Sequence, residues 1–250
     1  MNKTKLLSLI ERKNRVLLTF LLIVNVISCS HLALSQKGSF SRRILTPYFI
    51  DSVEAYRSTV KQDPTRQMVQ LKSIDRQMIF DLKYGTKYNF TGQVLYQNPE
   101  AYLRLPAALA LKKVNAELRN SGLEIKVFDA YRPYSVTKKM WTLVRDHRYV
   151  ANPAKGSGHN RGTAVDLTLV NLATKKELPM GTAFDDFTIK AGHLYRLLPV
   201  EVLQNRSLLK TVMKKHGFLS LNTEWWHYIY AGGKEKFELL NFGFDELKRQ

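Results

Sequence analysis

The stretch "GSGHNRGTAVDLTL", residues 156–169, sets an aspartate inside an apolar run and delivers a histidine from a glycine-rich turn just ahead of it. Strict alternation over "TAVDLTLV" puts Val165, Leu167 and Leu169 on one face of a strand, and Ala164, Asp166 and Thr168 on the other. Asp166 therefore turns away from the apolar layer. His159 precedes it by an odd interval, which a continuous strand would aim at the opposite face. Gly156, Gly158 and Gly162 predict instead a loop that folds back and carries His159 over the strand. A histidine and a carboxylate brought together suit a divalent ion such as zinc. From these residues alone a hydrogen-bonded Asp–His pair is equally open.

A second constellation lies in "TEWWHYIY", residues 223–230, whose aromatic and branched residues read as a strand. Glu224 stands three positions before His227, so on an ideal strand the two would face opposite ways. Glu224 is expected at the strand's entrance, where the chain is not yet regular. His227 would supply a third ligand and Glu224 a carboxylate that moves protons without holding metal, the composition of a hydrolytic zinc site. Trp225 and Trp226 are expected to pack. A third piece, "VFDAYRPYS", residues 127–135, places Arg132 between a strand and a helix-starting proline. An arginine there can stabilise an oxyanion, while a surface arginine paired with Asp129 is the plainer reading of that segment by itself.

Together the pieces are specific. "SGHNRGTAVD" fits the S-x-H-x-x-G-x-A-x-D pattern of the zinc D,D-peptidases, and "EWWH" their glutamate–tryptophan–histidine segment. With "DLKYGTKYNFTG" (residues 81–92), "DAYRP" and "PMGTAFDDF" (residues 179–187), the chain resembles the D-alanyl-D-alanine dipeptidases from about Met68 to Tyr230. The resemblance implies one zinc ion per chain on His159, Asp166 and His227, with Glu224 as general base and acid and Arg132 polarising the scissile carbonyl. It also implies a small D,D-dipeptide as substrate, with Ser157 near its carboxylate, Asp185 holding its free ammonium and Asp129 among the substrate-binding residues. His31, His147, His193 and His216 match no ligand position. Zinc D,D-carboxypeptidases, which trim longer stem peptides, share the zinc pattern and are the alternative. A peptidoglycan-binding lipoprotein with a decayed site is the non-enzymatic reading, and it gives no reason for Glu224.

The expected fold is α+β, a small and mainly antiparallel sheet flanked by helices, of the zinc D,D-peptidase type. "LEIKVFDA" reads as a strand. Helices are expected over residues 107–122 (apolar at Leu109, Leu111 and Val114), after Pro133, and over "NRSLLKTVMKKHGF" with Gly217 as cap. The 250 residues suffice for one sizeable domain. The formal charge of +18 is spread thinly and no nucleic-acid module accompanies it, so no nucleic-acid partner is expected. Basic residues followed by "VLLTFLLIVNVI" (residues 16–27) make a signal-peptide core too short to span a bilayer comfortably. "VISC" then resembles a lipobox whose cysteine, Cys29, receives lipid, with ordinary secretory cleavage after Ala33 and Ser35 as the alternative. The division is thus a lipoprotein-type signal peptide over residues 1–28, a tether over 29–62 and the zinc dipeptidase domain over 63–250. The protein is expected in the periplasm or at the cell exterior, membrane-anchored and suited to peptidoglycan turnover or salvage, unlike the cytoplasmic resistance-type dipeptidases it resembles.

Overall fold

Five strands form the main sheet in the order β3 (Ile79–Phe80), β5 (Leu123–Asp129), β6 (Ala164–Asn171), β8 (His227–Tyr230) and β7 (Phe218–Ser220). β1 (Phe49–Ile50) pairs with β9 (Leu239–Leu240), and β2 (Met68–Gln70) with β4 (Tyr102–Arg104), outside that sheet. The computed structural model describes residues 47–249, so the expected signal peptide, Cys29 and the first part of the expected tether lie outside the described residues. The helices are α1 (Val53–Gln62), α2 (Leu71–Ile74), α3 (Leu105–Arg119), α4 (Tyr134–Leu143), α5 (Val200–Lys215), α6 (Gly233–Lys236) and α7 (Phe244–Leu247).

β6 is the axis of the architecture. All its residues but the last are buried, because β5 and β8 flank it antiparallel on either side. Val165, Leu167 and Leu169 join Leu111, Val114, Leu209 and Met213 in the main core, with α3 against β5, α5 against β7, and the two helices against each other. Trp225 and Trp226 are buried there too.

Three expectations need correction. The sheet is mixed rather than mainly antiparallel, because its edge strand β3 runs parallel to β5 in the register Ile79↔Lys126 and Phe80↔Val127. A parallel neighbour requires a long crossover, and the chain supplies one that passes through β4 and α3 between those strands. A strand as short as β3 carries no alternation to read. Leu109 is 44% exposed while Leu111 and Val114 are fully buried, since residues two apart lie on opposite sides of a helix. Residues 49–62, assigned to the tether, carry β1 and α1. Phe49 and Ile50 pair in parallel with Leu239 and Leu240. Tyr56 is buried, and its hydroxyl accepts the Met68 amide at 2.7 Å.

Candidate active site and metal centre

Strand register assembles the centre of the site. Asp166 on β6 lies opposite His227 on β8 and opposite Asp129 on β5, and residues opposed in this way share a face. A bulge between Val127 and Asp129 brings Asp129, not Phe128, against Asp166. His159 arrives on a single 3-10 turn, His159–Arg161, closed by Gly162 at φ 69°. A Cβ on Gly162 would lie 2.7 Å from the Met68 sulfur and 3.3 Å from the Arg104 amide nitrogen, so the turn needs glycine. The amides of Thr163 and Ala164 both donate to the Gly158 carbonyl, at 2.9 and 3.2 Å, and fold the turn back onto the strand.

The fold-back brings His159 Nε2 to 3.3 Å from Asp166 Oδ2 and 3.2 Å from His227 Nδ1. Asp166 Oδ1 lies 2.8 Å from the same His227 nitrogen. His159 Nδ1 is 2.6 Å from the Ala130 carbonyl, which can only accept; that nitrogen carries the proton and Nε2 turns its lone pair inward. Burial alone would raise the Asp166 carboxyl, but His159 and His227 beside it hold it below the ordinary carboxylate range. Three buried ligand atoms lie within 4.8 Å of one another. Tetrahedral ligands at about 2.0–2.2 Å from an ion stand roughly 3.3–3.5 Å apart, close to the observed His159–His227 and His159–Asp166 spacings. The donor set therefore fits a divalent metal, and two imidazoles with one carboxylate are ligands that zinc accepts.

Glu224 sits just before β8, as expected, with Oε2 3.9 Å from His227 Nδ1. Burial pushes its carboxyl up to about 7, with His227 opposing. Arg132, 7% exposed, reaches the same cavity, and its Nε and Nη2 donate to Asp129 Oδ2 at 3.1 and 2.7 Å. Asp129 differs from expectation. It is 1% exposed and also accepts the Tyr96 hydroxyl at 2.8 Å, so it stands behind Arg132 and aims it rather than lining the cavity. Ser157 lines the wall, and its Oγ accepts the His159 amide at 3.2 Å. Asp185 lines it as well, in the left-handed conformation at φ 61°. Burial first, and the Asp166 charge second, raise its carboxyl well above the ordinary value. Among the described residues no lysine or arginine lies within ion-pair distance of it. The cavity measures about 480 Å³. His147 is exposed on its rim, His216 bonds Glu117 at 2.7 Å, and His193 packs near the Tyr228 ring, so none of the three meets the ligand set.

A family model described as D-ala-D-ala dipeptidase, of the M15 peptidases, matches residues 64–242. The chain belongs to the D-Ala-D-Ala dipeptidase family. It is 35% identical over 164 residues to a D-alanyl-D-alanine dipeptidase of Escherichia coli, covering 66% of this chain and 84% of that protein. It is 30% identical over 173 residues to a D-alanyl-D-alanine dipeptidase of Enterococcus faecium, covering 60% of this chain and 84% of that protein. A solved structure described as VanYB in complex with D-alanine-D-alanine shares 14% identity at a TM-score of 0.37, over 56% of this chain and 77% of that one.

In this D-Ala-D-Ala dipeptidase family member, two further residues tie the motif segments together. The Tyr84 hydroxyl donates to both Asp185 oxygens at 3.1 and 3.0 Å, and its ring lies 5.1 Å from the Arg132 guanidinium. Asn160 accepts the Ser157 amide at 3.0 Å and donates to the Arg132 carbonyl at 2.8 Å. Both sit inside quoted motifs, but Tyr84 acts on Asp185, 101 residues away, and Asn160 on Arg132, 28 residues away, which spacing does not show.

Proposed function

We propose that the chain is a zinc dipeptidase that hydrolyses free D-Ala-D-Ala to two molecules of D-alanine, with the metal on His159, Asp166 and His227. The observation that carries this is the buried His–Asp–His set with the Glu224 carboxyl beside it and outside it. Zinc bound there would supply Lewis-acid activation of a water and of the scissile carbonyl. Glu224 takes a proton from the attacking water and returns one to the amine that leaves when the C–N bond breaks. A carboxyl near 7 is suited to both halves of that exchange. Arg132, held by Asp129, which also accepts the Tyr96 hydroxyl, presents a fixed positive donor to the oxygen that gains charge. Ser157 keeps its hydroxyl hydrogen for the substrate carboxylate. Asp185 with Tyr84 receives the ammonium, the cation that this half-buried carboxyl lacks.

Metal analysis of the chain and of His227→Ala, beside D-Ala-D-Ala hydrolysis by each, tests this reading. About one zinc per chain is expected in the parent protein, with loss of both metal and activity in the variant. Stoichiometric zinc surviving His227→Ala contradicts it. We also propose a role in envelope peptidoglycan turnover or salvage, with attachment through lipidated Cys29. The "VISC" segment after a short apolar core supports that, and it lies outside the described residues.

A further inference from the structure

Arg206 belongs to α5, a helix that contributes none of the residues lining the cavity. It is 4% exposed, and among the described residues no carboxylate lies within ion-pair distance of it. A buried cation without a counter-ion is costly unless its donors are satisfied. Two of its three nitrogens bond backbone carbonyls, Nε to Met180 at 2.7 Å and Nη1 to Lys190 at 3.0 Å and Gly192 at 3.3 Å, while Nη2 is buried without a partner among the described residues. These carbonyls lie at the two ends of one excursion, residues 181–191. A single guanidinium thus pins the start and the finish of the same loop.

The loop's other features agree. Gly181 has φ 82°, and a Cβ there would lie 2.8 Å from Val202 Cγ1, so glycine lets the loop press onto α5. Within the excursion, the Phe184 ring packs edge-on to Trp226 (5.5 Å) and tilted against Phe128 (4.9 Å), which inserts the loop beside the site. The next residue is Asp185, held in the left-handed conformation under the Tyr84 hydroxyl. A non-glycine residue keeps that conformation only where its surroundings over-determine it. Short of the second pin the loop is open to solvent, with Ile189 78% exposed.

We infer that Arg206 is a positioning residue for the amine subsite: it closes the loop over residues 181–191 so that Asp185 is held where the substrate's ammonium arrives. This rests on the reading of Asp185 given under the proposed function. The role asks for a planar fork that satisfies carbonyls on two sides, which a lysine's point charge cannot supply.

The test uses the zinc-loaded full chain carrying Arg206→Met, Arg206→Lys or Asp185→Ala. Steady-state kinetics on D-Ala-D-Ala and on N-acetyl-D-Ala-D-Ala are read beside hydrogen exchange of the 181–191 peptide. Arg206→Met should lower kcat/KM on the free dipeptide about ten- to a hundredfold, mainly through KM, as expected for a displaced binding group. The acetylated substrate should change far less, so the preference shrinks. Exchange should quicken in the 181–191 peptide and stay unchanged in β5 and β6. An equal loss on both substrates, or an unchanged preference with unchanged loop exchange, overturns the inference. Should Arg206→Met fail to fold, Arg206→Lys decides by the same two readouts. If Asp185→Ala leaves the preference intact, the amine reading itself is wrong. If it abolishes the preference while the Arg206 variants retain it, the amine reading stands and the role of Arg206 falls.

Discussion

Glu224 is 6% exposed, close enough to His227 to share its surroundings and outside the set of donor atoms that could hold metal. Replacing it with alanine should leave zinc in place and lower kcat by about a hundred- to ten-thousandfold, the usual worth of a positioned acid–base group. Metal content and turnover measured on the same preparation check this, and a variant keeping more than about a tenth of the rate contradicts it. The same carboxyl has a titration that can be followed. Burial raises it from 4.5 to about 7 in metal-free protein, and a bound divalent ion would draw it back down. Carboxyl-resolved NMR of the metal-free chain should therefore show Glu224 titrating near 7, with zinc lowering that value. A Glu224 that titrates near 4.5 without metal contradicts the assignment. At this scale the sequence was informative where chemistry is carried by residue type. Asp166, His227 and Glu224 stood out as polar residues in apolar or aromatic surroundings, and His159 as the histidine of a glycine-rich turn. Tyr84, Asn160 and Arg206 did not, because tyrosine, asparagine and a helical arginine are ordinary in such segments. Their functions are defined by partners on other loops.

Elements carry these side chains, and the 3-10 turn around His159 is the most exacting of them. Its closing residue, Gly162, combines a left-handed backbone with close contacts to Met68 and Arg104. Gly162→Ala should destabilise the fold by about 1–3 kcal/mol, the cost of a forced left-handed residue. It should also weaken zinc retention, since the turn is what sets His159 over Asp166. Thermal unfolding and metal content report the two effects, and a variant with parental stability and metal contradicts the role given to the turn. The three glycines made this turn legible, and the alternation of β6 correctly separated Val165, Leu167 and Leu169 from Asp166. The segment over residues 49–62 was harder to read. The apolar stripe of α1 is short, with Tyr56 buried and Val53 and Val60 partly so, and polar residues make up most of the rest. β1 is held by pairing with β9, far along the chain. The parallel edge strand β3 escaped for a similar reason, being defined by its crossover and not by its own residues.

Across the whole molecule, one cavity of about 480 Å³ gathers Arg132, Ser157, His159, Asp166, Asp185 and Glu224 from segments spread over much of the chain. The proposed lipid anchor at Cys29 would set where this site works. Labelled palmitate should enter the parent protein and not Cys29→Ser, and equal labelling of the two contradicts the proposed anchor. Substrate length is the property that separates a dipeptidase from a carboxypeptidase built on the same metal set, and Asp185 bears on it directly. An N-acylated substrate withholds the ammonium from that half-buried carboxyl, a loss of about 3 kcal/mol, or roughly a hundredfold in kcat/KM. The most direct test of the account is therefore kcat/KM for D-Ala-D-Ala beside its N-acetyl form, with zinc-loaded protein. The free dipeptide should be cleaved at least about a hundredfold better, and comparable rates on the two would contradict the account and move this chain to the carboxypeptidases.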